Sequence, residues 1–220
     1  MVVSVTAAVD DVLEPWRIQS FNLAMVAVVV SLFGVLLGSR LMRAMTSEEK
    51  SRRELEHLML TDPLTGVGNR RMLTLRLDEE ILRAQRYSRA LTAVFFDLDH
   101  FKRVNDTYGH KVGDSVLTRV AESLSSNLRQ SDHIGRFGGE EFVVLLTETG
   151  IEEAMTLVER MRAAVAAIQM PEMQGQITIS AGLAQWRPGE SGDMLLHRSD
   201  RALYRAKESG RNRSHTDQDT

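Results

Sequence analysis

HIGRFGGEEFVVLL, residues 133–146, places two glycines between a short strand-like run and a longer apolar one, with two glutamates directly behind the bend. A two-residue link between antiparallel strands needs positive φ at one or both positions, which glycine supplies without steric cost. Gly138 and Gly139 therefore predict a hairpin, and by themselves Glu140 and Glu141 read as solvated charges behind a turn. The segment upstream changes that reading. The apolar run LTAVFF, 91–96, ends in DLDHFKRVND, so Asp97 and Asp99 leave a buried strand at its C-terminal end with their side chains on one face. Carboxylates at such a place suit Mg²⁺, which takes few protein oxygens and completes its shell with water and phosphate. The competing reading is that they cap a following helix.

Working outward from the hairpin, the periodicities alternate. Residues 71–87, 112–128, 151–168 and 193–208 have helical spacing, and ITISAGLA at 177–184 reads as a strand. From residue 91 the order is strand, helix, strand, strand, helix, strand, helix. This predicts an α+β fold of the split βαβ, ferredoxin-like or palm type: a βαββαβ core in which a layer of helices covers a mostly antiparallel sheet. In that plan the hairpin runs beside strand 91–96, which brings Gly-Gly-Glu-Glu next to Asp97. Successive strand residues point oppositely, so only one of Glu140 and Glu141 can share a metal with Asp97.

The remainder of the chain bounds the setting. A 43% hydrophobic, 26% charged sequence of 220 residues is that of a folded domain with an appendage. A net charge of −3 is too small for a polyanion-binding surface, so no nucleic-acid partner is expected. The absence of cysteine rules out disulfides and cysteine-ligated zinc, and the six histidines lack paired metal spacing. Any metal is expected to be oxygen-ligated. Between Arg17 and Arg40 lie 22 uncharged residues, which as a helix would reach about 33 Å against a bilayer core of about 30 Å. Asp10, Asp11 and Glu14 before it do not form the basic flank of a signal peptide. Arg40, Arg43, Lys50, Arg52 and Arg53 follow the span, which puts the later residues in the cytoplasm. The expected organisation is an outer segment 1–17, a transmembrane helix 18–41, a helical stalk 42–60, a globular domain 61–213 opening on the turn-rich TDPLTGVGNRR, and a flexible tail 214–220.

Five blocks in order, DPLTGVGNRR, FFDLDHFKRVNDTYGHKVGD, RFGGEEF, SAGLA and ALYRAKESGRN, resemble the GGDEF family of bacterial diguanylate cyclases over residues 61–213. The resemblance implies a palm-like fold and an enzyme that joins two GTP, one per subunit of a homodimer, into cyclic di-GMP with loss of two pyrophosphates. Glu140 stands where many members have Asp and Val67 where Leu is usual, and Glu at the former position also occurs in active members. Carried over, the resemblance makes Asp97 and Glu140 side-chain ligands and the Leu98 carbonyl a main-chain ligand of Mg²⁺ or Mn²⁺. Glu140 is then also the candidate proton acceptor, and Glu141 a support or second-metal residue. Gly138 and Gly139 would let the backbone approach the phosphates, a clearance glycine uniquely gives.

Guanine presents an acceptor at O6 and donors at N1 and N2, which an amide and a carboxylate answer. By resemblance these are Asn105 and Asp114, with His110 as a weaker contact; an Asx turn and a helix cap are the plainer alternatives. Lys102, Lys207 and Arg211 resemble the triphosphate grips, Lys102 stabilising transition-state charge, where the alternative is a solvated basic face. RQSD, 129–132, resembles an RxxD inhibitory site in which Arg129 and Asp132 bind product; arginine can pair with guanine O6 and N7, and an exposed i, i+3 pair is the bland alternative. The expected protein is a membrane-anchored, product-inhibited diguanylate cyclase of the bacterial inner membrane. A non-catalytic sensor of GTP or cyclic di-GMP and a membrane scaffold are the rival readings.

Overall fold

The computed structural model of the chain describes residues 20–28, 30–40, 42 and 60–218. The chain divides into two units, one within residues 1–58 and one within 59–220. The first holds α1 (Ser20–Arg40), a helix long and apolar enough to cross a membrane. Its large apolar side chains, among them Phe21, Leu23, Phe33 and Leu36, are exposed. The outer segment 1–17 and all but the two end residues of the stalk 42–60 lie outside the described residues.

The second unit runs β1 (Gly68–Asn69), α2 (Arg70–Tyr87), β2 (Leu91–Leu98), α3 (Phe101–Tyr108), α4 (His110–Ser125), β3 (His133–Gly138), β4 (Glu141–Thr147), α5 (Ile151–Ala166), β5 (Ile179–Gln185), α6 (Gly192–Glu208) and β6 (Ser214–Thr216). The sheet order is β1-β3-β4-β2-β5-β6. Its four inner strands are antiparallel in the split βαβ order. Short β1 and β6 add parallel pairs at the two edges.

Helices cover both faces of the sheet, not one. Val94, Phe96 and Leu98 of β2 pack toward α4 and α5, through residues such as Leu117, Val120, Val158 and Met161. Leu91, Ala93 and Phe95 pack toward α2 and α6, through Leu73, Leu77, Leu195 and Leu203. This explains why LTAVFF is a continuous apolar run: a central strand buried on both sides has no polar face to alternate with. Phe96 and its cross-strand partner Phe142 are fully buried, each contributing roughly 1.5–3 kcal/mol of transfer free energy. Gly182 in β5 decides how α6 lies on the sheet. A Cβ there would stand 2.0 Å from the Leu203 amide nitrogen and 2.1 Å from the Ser199 carbonyl oxygen, so only glycine lets the helix settle at this depth.

Two expected elements differ. The helical stretch read at 112–128 begins at His110 and follows a separate helix, α3; Gly109, at φ +83°, breaks the path between them. The polar tail read as flexible from 214 instead forms β6 at Ser214–Thr216. Backbone bonds hold it, from Ala181 N–H to the Arg213 carbonyl (3.0 Å) and from Asp217 N–H to the Leu183 carbonyl (2.8 Å). Asp217 also accepts from Arg187 (2.7 Å) and from Arg198, contacts that a polar sequence does not announce.

Candidate active site

The hairpin turn lies one residue later than the sequence suggests. Gly138 is the last residue of β3 and pairs with Glu141, leaving Gly139 and Glu140 as the two-residue link. A bulge between Arg136 and Gly138 causes the shift. The extra residue, Phe137, packs edge-on against Phe95 with centroids 5.1 Å apart and under the Arg70 guanidinium at 4.4 Å. Gly139 takes φ +43°, and the space beside its missing Cβ is open.

Asp97 sits where this turn meets the end of β2. Its cross-strand partners are Glu141 on β4 and Ser180 on β5. The Leu98 N–H donates to the Glu140 carbonyl at 3.4 Å, so both glutamates border the strand end. Lys207, one turn beyond Leu203 on α6, reaches Asp97 Oδ2 at 2.8 Å. Asp97 is only 7% exposed, and burial pushes its carboxyl above the ordinary value; Lys207 opposes this, while the charges of Glu140 and Asp99 add to it. Glu141 is also pushed up, by burial and then by the charge of Asp97. The result is a partly buried cluster of carboxylates with one lysine against it. Among the described residues no three or more Asp, Glu or His side chains form a complete metal cage. Such a short donor set suits Mg²⁺, which is held by one or two carboxylates plus water and phosphate.

Next to the turn, a cleft of about 450 Å³ is lined by Lys102, Asn105, His110, Asp114, Gly139 and Glu140. The break at Gly109 puts Lys102 and Asn105 on one helix and His110 and Asp114 on the next, all facing the same opening. Phe101 and Leu117 supply its apolar wall and Arg136 its far edge. The opening thus offers apolar surface, an amide, a carboxylate and a lysine within one hairpin turn of Asp97, a composition suited to a purine nucleotide.

The comparisons with known proteins agree with this geometry. Residues 59–213 match the model of the family described as "Diguanylate cyclase, GGDEF domain". The chain belongs to the diguanylate cyclase GGDEF-domain family. It is similar to the diguanylate cyclase DgcP of Pseudomonas aeruginosa, 49% identical over 157 residues that cover 70% of this chain and 23% of that protein. The chain thus spans under a quarter of that relative's length. Among solved structures it resembles the GGDEF domain of DgcB from Caulobacter crescentus in complex with c-di-GMP, with a TM-score of 0.70 and 33% identity, covering 73% of this chain and 96% of that one. It also resembles the active GGEEF domain of a diguanylate cyclase from Vibrio cholerae, with a TM-score of 0.67 and 34% identity, covering 74% of this chain and 100% of that one.

The other residues singled out in this GGDEF domain fall in separate places. Arg211 follows α6 in a turn where Gly210, Arg211 and Asn212 all have positive φ, and its side chain is exposed. Arg129 lines a second cavity of about 520 Å³ with Glu80, Arg83, Arg89, His133 and Glu148. Its guanidinium pairs with Glu153 at 3.0 Å. Asp132 does not line that cavity; its carboxylate accepts the backbone N–H groups of Arg129 (3.0 Å) and Thr147 (3.2 Å) and so fixes the turn.

Three residues of the GGDEF domain went unremarked in the sequence. Arg136 donates to the Gly139 carbonyl at 2.8 Å and pairs with Asp62 at 3.3 Å, tying the hairpin turn to the DPLTG loop. Thr65 holds the same Asp62 through its hydroxyl (2.6 Å) and its N–H (2.9 Å). Gly113, buried in α4, is the seat of the Asn105 side chain. Only Arg136 left a signal, as a charge within an otherwise apolar strand.

Proposed function

We propose that the chain is a diguanylate cyclase that condenses two GTP into cyclic di-GMP and two pyrophosphates, using Mg²⁺ or Mn²⁺ and acting as a homodimer with one GTP on each subunit. The observation that carries this reading is the convergence of Lys102, Asn105, His110, Asp114, Gly139 and Glu140 on one cleft beside Asp97. The crowding of negative charge around a buried Asp97 favours a divalent cation there. Asp97, Glu140 and the Leu98 carbonyl would hold it, and when bound it would neutralise triphosphate charge and polarise the α-phosphate.

Asn105 and Asp114 read the guanine edge, assisted by His110, while the open space at Gly139 and the small Gly138 admit the phosphates. Lys207 and Arg211 grip the triphosphate, and Lys102 stabilises the charge that develops as the bond changes. Glu140 accepts the proton of the facing GTP's 3′-hydroxyl. The O3′–P bond forms as the bond to pyrophosphate breaks, the electron pair leaving with pyrophosphate. Glu141 supports the cluster. A second attack in the reciprocal direction closes the ring. Product then binds in the cavity at Arg129, on the turn that Asp132 holds, and restrains the enzyme. We place α1 as a single span in a bacterial inner membrane with the catalytic unit on the cytoplasmic side.

The full chain, purified in detergent and incubated with GTP and Mg²⁺, should yield cyclic di-GMP and pyrophosphate by mass spectrometry. A folded, dimeric preparation that makes neither overturns the proposal.

A further inference from the structure

One buried carboxylate has no part in the proposed chemistry. Asp99 follows β2 and is 9% exposed. Its Oδ1 accepts the Ser180 hydroxyl at 2.7 Å. Its Oδ2 accepts the Thr178 hydroxyl at 2.8 Å and the backbone N–H of Asn212 at 3.0 Å. The last bond joins points 113 residues apart in the chain: the strand end that carries Asp97, and the turn that carries Arg211.

That turn needs outside support. Arg211 and Asn212 hold φ of +62° and +46°, a left-handed pair that side chains disfavour and that survives only where surrounding contacts over-determine it. The Arg211 N–H donates to the Ala206 carbonyl at 3.1 Å, and the Asn212 side-chain oxygen accepts from Arg162 at 2.7 Å. Among these restraints Asp99 alone directly follows the strand that carries Asp97.

We propose that Asp99 is a positioning residue: it sets the turn Gly210–Asn212 in register with the end of β2, so that Arg211 meets the phosphate end of a nucleoside triphosphate whose metal is held by Asp97. The inference rests on the triphosphate role given to Arg211 above. It separates the two ends of the substrate, because Asn105 and Asp114 lie on α3 and α4, whereas the Asp99 carboxylate is bonded to Thr178, Ser180 and Asn212.

The test measures equilibrium binding to the full chain in detergent, with Mg²⁺ present, of two probes: a GTP analogue with a methylene bridge between the α- and β-phosphates, and guanosine. Asp99→Ala should weaken the analogue by about tenfold, the order that one hydrogen bond to a charged group contributes. Guanosine should change by less than about twofold, since its contacts lie elsewhere. Arg211→Ala should show the same pattern, and the double variant should be no weaker than the weaker single one. Asp99→Asn keeps an oxygen for Asn212 and Thr178 and can donate its amide to the Ser180 hydroxyl, so it should bind near wild type. If alanine does not fold, Asp99→Ser, too short to reach the Asn212 N–H, carries the same expectation. Equal loss for both probes, or additive losses in the double variant, overturns the proposal. An inactive wild type would instead overturn the proposed function, while these binding ratios would still decide the role of Asp99.

Discussion

Replacing Gly113 with alanine tests the proposed guanine-reading role of Asn105 apart from folding. A Cβ at this position would lie 1.9 Å from Asn105 Oδ1 and 3.0 Å from its Cγ, with Phe101 Cζ at 3.3 Å. Carbon–oxygen contacts become comfortable only at about 3.3 Å, so the amide must retreat by roughly 1.4 Å and turn from the cleft. An amide contact on a base edge contributes about 1–3 kcal/mol, which predicts a fall in kcat/KM for GTP of about 5- to 150-fold. Stability should change little, because the preference of a helix for alanine over glycine, about 1 kcal/mol, offsets the displacement of the amide. The assay is steady-state kinetics of cyclic di-GMP formation beside thermal melting, for Gly113→Ala, Asn105→Ala and the double variant. If the effect passes through Asn105, Gly113→Ala should cost little once Asn105 is already alanine. Additive losses, or a fall in activity that tracks a falling Tm, would refute the argument.

Lys207→Met removes the cation now paired with Asp97, so the protein should bind Mn²⁺ alone more tightly, by paramagnetic titration, yet show a higher KM for GTP; weakening of both would sink the two-sided role of Lys207. Burial alone would raise the Asp62 carboxyl, but hydrogen bonds from Thr65 and the Arg136 guanidinium hold it below 3.8. A lowered folded-state value stabilises fully above the unfolded one and is lost as pH falls through the folded one. Asp62→Asn should therefore lower Tm at neutral pH, with a gap from wild type that closes below about pH 4; a gap independent of pH contradicts this. Arg129→Ala should relieve inhibition by added cyclic di-GMP with little change in Tm, whereas Asp132→Ala should also lower Tm because two backbone N–H groups lose their acceptor. Identical melting curves for the two variants would refute the structural role of Asp132.

The inner sheet was legible because its signals are local: a run of apolar residues between turns, and glycines at a bend. The hairpin register was not, since the bulge that moves the turn to Gly139 and Glu140 arises from Phe137 settling on Phe95 and Arg70, partners from other elements. Strands β1 and β6 are too short to show a period, and backbone pairing rather than side-chain pattern makes them. Asp97 could be placed from its strand, but its ion pair with Lys207 depends on how deeply α6 sits on Gly182, which no spacing encodes. Asp99 looked like a second metal carboxylate because alternation along a strand puts it on the face of Asp97. The strand ends at Leu98, however, and Asp99 turns instead to Thr178, Ser180 and Asn212.

That ending explains how site residues carried by strands, helices and two turns can share one frame. Three consecutive residues of one strand end address three different segments: Asp97 meets α6 through Lys207, Leu98 meets the hairpin turn through the Glu140 carbonyl, and Asp99 meets the turn after α6 through Asn212. The strand itself is held along both edges, by β4 and β5, and is buried on both faces. Each of these three segments is therefore referred to the same strand end, and its placement error does not accumulate through its neighbours. In-line transfer needs attacking oxygen, phosphorus and leaving oxygen aligned within fractions of an ångström. A site assembled from several elements and tied to one central strand end can meet that demand, provided none of its three ties is cut.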